Sequence, residues 1–344
     1  MNLKKIIFII LIAGLAVAAA IFWQFYNAAF RKPIVEIQEA YKVFYIPTGS
    51  SFEEVKTKLF DEKIIKDTLL FTKTASLKHY KKIRPGRYKI EKGLSANALI
   101  NKLRSGAQWP VNLTFNNIRF LPKLAGIVGR KLEADSGKLM QLLHDNDFLK
   151  TYDLEPRTAI SLFIPNTYQF YWNTSEKEFV ERMKKEYDKF WKGARMDKAR
   201  EIGFKPLDII IIASIIQEET NKKSEMSRMA GVLINRLHRG MKLQADPTAR
   251  FAAGNFSARR ITTDYTKIES PYNTYIVKGL PPGPICMPEP STIDAVLNYE
   301  HHNFLFYCAR ADKPGYHAFA RTNAEHARNA RAYHNYLNRK KIYR

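Results

Sequence analysis

Two adjacent carboxylates, Glu218 and Glu219, end the apolar stretch Asp208-Ile-Ile-Ile-Ile-Ala-Ser-Ile-Ile-Gln-Glu-Glu-Thr220. Residues 209–216 offer almost no polar face, so a helix built from them is expected to be buried rather than amphipathic. A carboxyl at the C-terminal end of such a helix meets the negative pole of the macrodipole and a low-dielectric surrounding. Both raise its pKa. A carboxylic acid still protonated near neutral pH is what a general acid requires. On a 3.6-residue period Glu219 stands over Ile212, Ile215 and Ile216, whereas Glu218 has Ser214 among its neighbours. Glu219 is therefore the expected acid. The plainer alternative is a solvated helix end carrying two surface glutamates.

The elements expected to hold this acid follow from the flanking sequence. A helix over 207–217 is broken at Asn221-Lys-Lys223, and Ser224 with Glu225 caps a second one that runs to Arg239 and stops at Gly240. Asp246-Pro247 starts another helix, which leaves Gln244 and Asp246 in a tight polar turn. Downstream lie Tyr272-Asn-Thr-Tyr275 and the rigid loop Gly279-Leu-Pro-Pro-Gly-x-Ile285. Strands are expected at 42–46, 87–90, 111–115 and 304–308, and helices at 51–60, 68–77, 95–103, 121–131, 136–149 and 175–191. The aromatic stretch 164–172 reads as a loop or edge strand that either fills a core or stacks on sugar rings. Residues 323–341 read as a basic amphipathic helix that packs through Tyr333 and Leu337. The fold class is α+β.

The chain of 344 residues holds 56 Lys+Arg against 33 Asp+Glu, a net charge of +23. Such an excess suits an anionic setting, but no zinc-finger spacing, RNA-recognition strand or helix-turn-helix pattern supports nucleic acid. Residues 6–26 form an apolar run that reaches the length of a bilayer span, with basic residues on both sides. Ala18-Ala19-Ala20 would suit a signal peptidase, yet apolar residues continue past it, and Trp23 and Tyr26 suit a membrane–water interface. An uncleaved anchor is expected, with the bulk of the chain outside the cytoplasm. Cys286 and Cys308 match no metal site and are read as structural or unpaired, a bridge remaining open. His301-His302 is read as structural, and neither metal nor cofactor is called for.

Several motifs occur together: Glu219-Thr220, Asn235-Arg-Leu237, Leu243-Gln-x-Asp-Pro-Thr248, the Tyr272–Tyr275 and Gly279–Ile285 segments, His317-x-Phe319 and Asn323-x-x-His326. In order and spacing they resemble the endolytic murein transglycosylase family, the YceG-like proteins. Ile46-Pro-x-Gly49 and Pro85-Gly-x-Tyr88 resemble, more faintly, a LysM-like module. The resemblance implies a short cytoplasmic tail and transmembrane anchor (1–32), a LysM-like module (40–108) and a catalytic domain (111–344). It implies an inner-membrane enzyme, its bulk in the periplasm, that cuts peptidoglycan glycan strands and works near cell-wall synthases. The reaction implied is non-hydrolytic cleavage of the MurNAc-β-1,4-GlcNAc bond to a 1,6-anhydro end, terminating nascent strands. Glu219 takes the family's catalytic position. Gln244, Asp246, Tyr272, Asn273, Thr274 and Tyr275 are the expected substrate-binding set, with turn-capping an alternative for Asp246. Departures from the family pattern stand at Gln217, Asn116-Asn117, Ile160-Ser161 and Asn166. The rivals are a non-catalytic wall-binding scaffold and a hydrolysing muramidase.

Overall fold

The computed structural model describes residues 3–257 and 263–340 of a mixed α+β protein. The chain divides into two units: Met1–Asn112 with Lys131–Glu133 and Gln169–Thr174, and Leu113–Arg130 with Ala134–Tyr168 and Ser175–Arg344.

In the first unit the apolar N-terminus forms α1 (Leu3–Tyr26), continued by a π-helical turn at Asn27–Arg31. No residue of α1 is buried; the helix is long and apolar enough to cross a membrane, a property a signal sequence shares. There follow β1 (Tyr41–Ile46), α2 (Phe52–Asp61), α3 (Thr68–Leu77), β2 (Gly86–Glu91) and α4 (Ala96–Ser105). Local chemistry sets these boundaries. Ser51 and Glu54 cap α2 reciprocally, Asp67 and Ser95 cap the next two helices, and Gly106 ends α4 in the left-handed region at φ 72°. β1 and β2 pair antiparallel with Phe44 opposite Tyr88. Those two side chains join Ile46, Leu59, Phe71 and Leu99 in a core that excludes water.

The second unit is helical with short two-stranded sheets. β3 (Val111–Phe115) precedes α5 (Leu121–Lys131), α6 (Ser136–Leu142) and α7 (Asn146–Lys150). The single helix expected over 136–149 is thus two, because the Asp145 carboxylate accepts from the amides of Asp147 and Phe148 and starts a new helix. β4 (Asn166–Phe170) pairs with β3. Then come α8 (Glu176–Phe190), α9 (Ala194–Glu201), α10 (Pro206–Glu219), α11 (Lys223–His238), α12 (Asp246–Ala253), α13 (Thr263–Thr266) and α14 (Pro290–Leu297). β5 (Phe306–Ala309) and β6 (His317–Ala320) form an antiparallel pair, and α15 (Asn323–Arg339) follows. Helix α9 escapes a periodicity search because it buries only Ala199. The expected N-cap at Ser224 is also displaced: α11 begins at Lys223, leaving Ser224 inside the helix. Tyr333 and Leu337 are half-buried on α15, which packs on β5 and β6 and has no fully buried residue.

Helix α10 is the axis of this unit. All eight residues from Ile209 to Ile216 are buried, among side chains from α9, α11, α12 and α14. A helix apolar on every face is stable only when surrounded, and each large side chain so enclosed contributes about 1.5–3 kcal/mol. Polar staples fix its neighbours. Ser214 Oγ accepts from the Ile285 amide at 3.1 Å, and Gln217 Oε1 accepts from the Glu289 amide at 3.1 Å and the Thr292 hydroxyl at 2.6 Å. Gln217 therefore anchors the start of α14. Gly231 permits close packing on α11, where a Cβ would lie 2.4 Å from the Glu300 carbonyl oxygen.

Candidate active site

The two carboxylates at the end of α10 meet opposite surroundings. Glu218 is ion-paired with Arg119, whose guanidinium lies over the Phe256 ring at 4.1 Å. Glu219 has no such partner: its Oε2 is shielded from solvent and makes no hydrogen bond. Burial raises its pKa to about 8; the Asp246 charge adds to the rise and Arg250 opposes it. The side chain keeps some exposure through one opening, while Oε2 keeps none. Nearby, Tyr307 is also driven well above the ordinary phenol range by burial, then by the charge of Glu219.

That opening is a cleft of about 540 Å³, lined by Glu219, Gln244, Asp246, Tyr275, Tyr307 and His317 among others. Tyr275 donates its hydroxyl proton to Asp246 Oδ1 at 2.5 Å. Burial, and then that bond and the Asp246 charge, push the phenol above its usual range. Gln244 sits in the left-handed region at φ 50°, which turns the chain sharply before α12. Its amide donates to the Thr274 carbonyl at 3.1 Å, and Arg236 Nη1 approaches its Oε1 at 3.4 Å.

Thr274 is the hub of this turn. Its Oγ1 accepts from the Ala245 amide at 3.1 Å and lies 2.7 Å from Thr248 Oγ1. Asn273 donates its side-chain amide to the carbonyls of Tyr265, Thr266 and Ile268. Both residues are fully buried and lie outside the cleft lining, where their side chains hold the loop. Tyr272 leans on Phe251 with ring centroids 4.8 Å apart and lies outside the cleft lining. Of the seven residues expected at the site, Glu219, Gln244, Asp246 and Tyr275 share the cleft. Asn116 and Asn166 border a separate groove of about 440 Å³, and Ile160 and Ser161 are buried.

Arg236 and His317, the latter expected with His326 to be structural or substrate-proximal, also line the cleft, and Glu225 stands behind His317. Glu225, 6% exposed, accepts from the His317 amide at 3.0 Å and faces His317 Nδ1 at 3.1 Å, tying α11 to β6. Arg236 lines the cleft from α11. The signal for Arg236 lay inside Asn235-Arg-Leu237, and that for His317 inside His317-x-Phe319. The remaining histidine pair is structural on one side: His302 Nε2 contacts the Arg228 carbonyl at 2.8 Å, and His301 packs on Tyr299. Cys286 and Cys308 are free thiols.

Comparison with known proteins adds the lineage. Residues 44–332 match the YceG-like family. The chain belongs to the YceG-like family. It is 27% identical over 318 residues to a Bacillus subtilis protein named endolytic murein transglycosylase, covering 88% of this chain and 87% of that one. A Streptococcus pneumoniae protein of the same name is 26% identical over 335 residues, and the matched part spans 59% of its length. A crystal structure of a yceG-like protein from Listeria monocytogenes aligns with TM-score 0.55 at 25% identity, covering 84% of this chain and 98% of that one. Within the YceG-like chain described here, the polar residues shared by the cleft lie on the 44–332 match, apart from the last turns of α15.

Proposed function

We propose that this chain is a lytic transglycosylase that cuts peptidoglycan glycan strands internally, with Glu219 as its single acid–base group. The observation that carries the reading is the unpartnered, shielded carboxyl of Glu219 facing a polar cleft, with a pKa of about 8. The names of the relatives supply the substrate class.

In this mechanism Glu219 gives its proton to the glycosidic oxygen of the MurNAc-β-1,4-GlcNAc bond, and the bond from that oxygen to the MurNAc C1 breaks through an oxocarbenium-like transition state. The MurNAc C6 hydroxyl attacks C1 and forms the 1,6-anhydro bridge. Its proton passes to the Glu219 carboxylate, which restores the starting state. No water is consumed. Glu219 serves both steps, so an obligatory second carboxylate of the hydrolytic kind is not needed. Gln244 and the Tyr275–Asp246 pair orient the sugar, and the Asp246 carboxylate stabilises developing positive charge.

Asp246 also supports a second reading. A further carboxylate in the cleft is what a hydrolysing muramidase would use. Mass spectrometry of the products decides between them: anhydro ends abolished by Glu219→Gln support the transglycosylase, whereas reducing-end MurNAc supports the hydrolase. Wall binding without product would leave a scaffold.

The remaining parts of the reading concern place. We propose that α1 anchors the chain in the inner membrane with its bulk in the periplasm, that residues 40–108 are a LysM-like module, and that 111–344 form the catalytic domain. Termination of nascent strands beside cell-wall synthases is the proposed role.

A further inference from the structure

The mechanism above leaves Arg236 unused. Arg236 is 7% exposed and lines the Glu219 cleft. Its Nε donates to the Leu305 carbonyl at 2.5 Å, and Nη1 donates to the carbonyls of Lys242 at 3.2 Å and Leu243 at 2.7 Å. Among the described residues Nη2 makes no hydrogen bond and no carboxylate pairs with the group. A buried guanidinium ordinarily takes a carboxylate, whose planar fork matches its own. Carbonyl dipoles offset only part of its charge. Arg236 Cζ stands 5.0 Å from the Phe306 ring centroid, and Phe306 stacks on His326 at 5.3 Å. His326 Nδ1 is shielded from solvent and also has no partner. An Nη2 that no protein group engages and a histidine ring without a hydrogen-bond partner thus border one aromatic ring in one cleft.

We propose that Arg236 and His326 form a carboxylate-binding subsite of the Glu219 cleft, which receives an acid borne by the muramoyl sugar. The inference rests on the glycan reading above and deepens it. Arg236 Nη2 donates to one carboxylate oxygen, and His326, which also lines the cleft, donates to the other in its Nε2–H tautomer. A bracing role for Arg236 explains its Nε and Nη1 bonds but leaves Nη2 and the histidine ring without partners. The acid has two possible sources: the free lactyl group of a peptide-free sugar, or a carboxylate of the peptide stem. Either would let the cleft distinguish MurNAc from GlcNAc, which carries neither.

The test is isothermal titration of the full-length Glu219→Gln protein in detergent with four muramoyl tetrasaccharides. Two are peptide-free, one with the lactyl acid and one with its primary amide. Two carry the stem peptide, one with free acids and one with those acids amidated. One acid–amide pair is expected to show an affinity ratio of about ten- to a hundredfold, the range of a charge-assisted hydrogen bond, and that pair identifies the source. Arg236→Gln is expected to bring the ratio to one, and Arg236→Lys and His326→Gln to reduce it. A variant that merely loosens the cleft weakens acid and amide alike and leaves the ratio standing. Equal affinities within both pairs for the protein that retains Arg236 overturn the subsite, as does a ratio that survives both Arg236 substitutions. Absence of binding to all four ligands overturns the glycan reading, and the subsite with it.

Discussion

At the scale of single residues, the account turns on two neighbouring glutamates made different by their surroundings. Glu218 has Arg119, whereas Glu219 has a shielded Oε2 and a nearby like charge. Glu219→Gln is expected to lower the rate of glycan cleavage by about a hundred- to ten-thousandfold, measured by release of soluble fragments. Activity of the parent should fall as pH rises through about 8, where Glu219 loses its proton. Asp246→Asn removes the charge that helps raise this pKa, so the alkaline limb of kcat/KM should move to lower pH. Stability carries the same signature with a definite sign. Below the ordinary value of 4.5 both folded and unfolded chains hold the proton; between 4.5 and about 8 the folded chain alone keeps it. The unfolded state then binds fewer protons, so stability declines as pH rises through that window and levels off above it. Glu219→Gln abolishes the decline, and its Tm should gain on the parent steadily from pH 5 to pH 8.

At the scale of elements, the sequence exposes most where one physical cause dominates. An eight-residue apolar run has a single stable environment, so α10 and the distinction between its two acids are legible in the sequence. The helices expected over 51–60 and 95–103 are legible as well, and the structure starts them at the caps Ser51 and Ser95. The turn around Gln244 was harder. Asn273 and Thr274 have the residue types of ligand contacts, but equally those of a loop hub, and only burial shows that they bind backbone. The break at Asp145 and the displaced start of α11 hinge on local capping, which composition leaves ambiguous. Arg236 and Glu225 share α11, but His317 joins them from β6, and no short-range pattern links that strand to the helix. Packing predicts a further outcome on α11. Gly231→Ala would force a Cβ to 2.4 Å from the Glu300 carbonyl oxygen, so thermal unfolding should register a loss of about 1–3 kcal/mol. Thr274→Val should cost a similar 1–3 kcal/mol, because the Ala245 amide loses its acceptor in a buried site.

At the scale of the whole molecule, charge and the N-terminal helix motivate the proposed placement of the chemistry. A net charge of +23 suits an acidic wall polymer and anionic headgroups. The α1 helix, exposed and apolar, is long enough to cross a membrane, a property a signal sequence shares. A full-length chain tagged at its C-terminus is expected to stay in the membrane fraction after alkaline carbonate washing. Protease added outside the inner membrane of spheroplasts should remove the tag. Recovery of the tagged chain in the soluble fraction would instead identify the N-terminal helix as a cleaved signal sequence.

The claim beneath every scale is that Glu219 holds its proton at neutral pH. Infrared difference spectroscopy of the parent against Glu219→Gln, followed across pH, reads that carboxyl directly. A protonated-carboxyl band is expected at pH 7 and lost near pH 8; its absence already at pH 6 would show that Glu219 is ionised there and cannot be the acid.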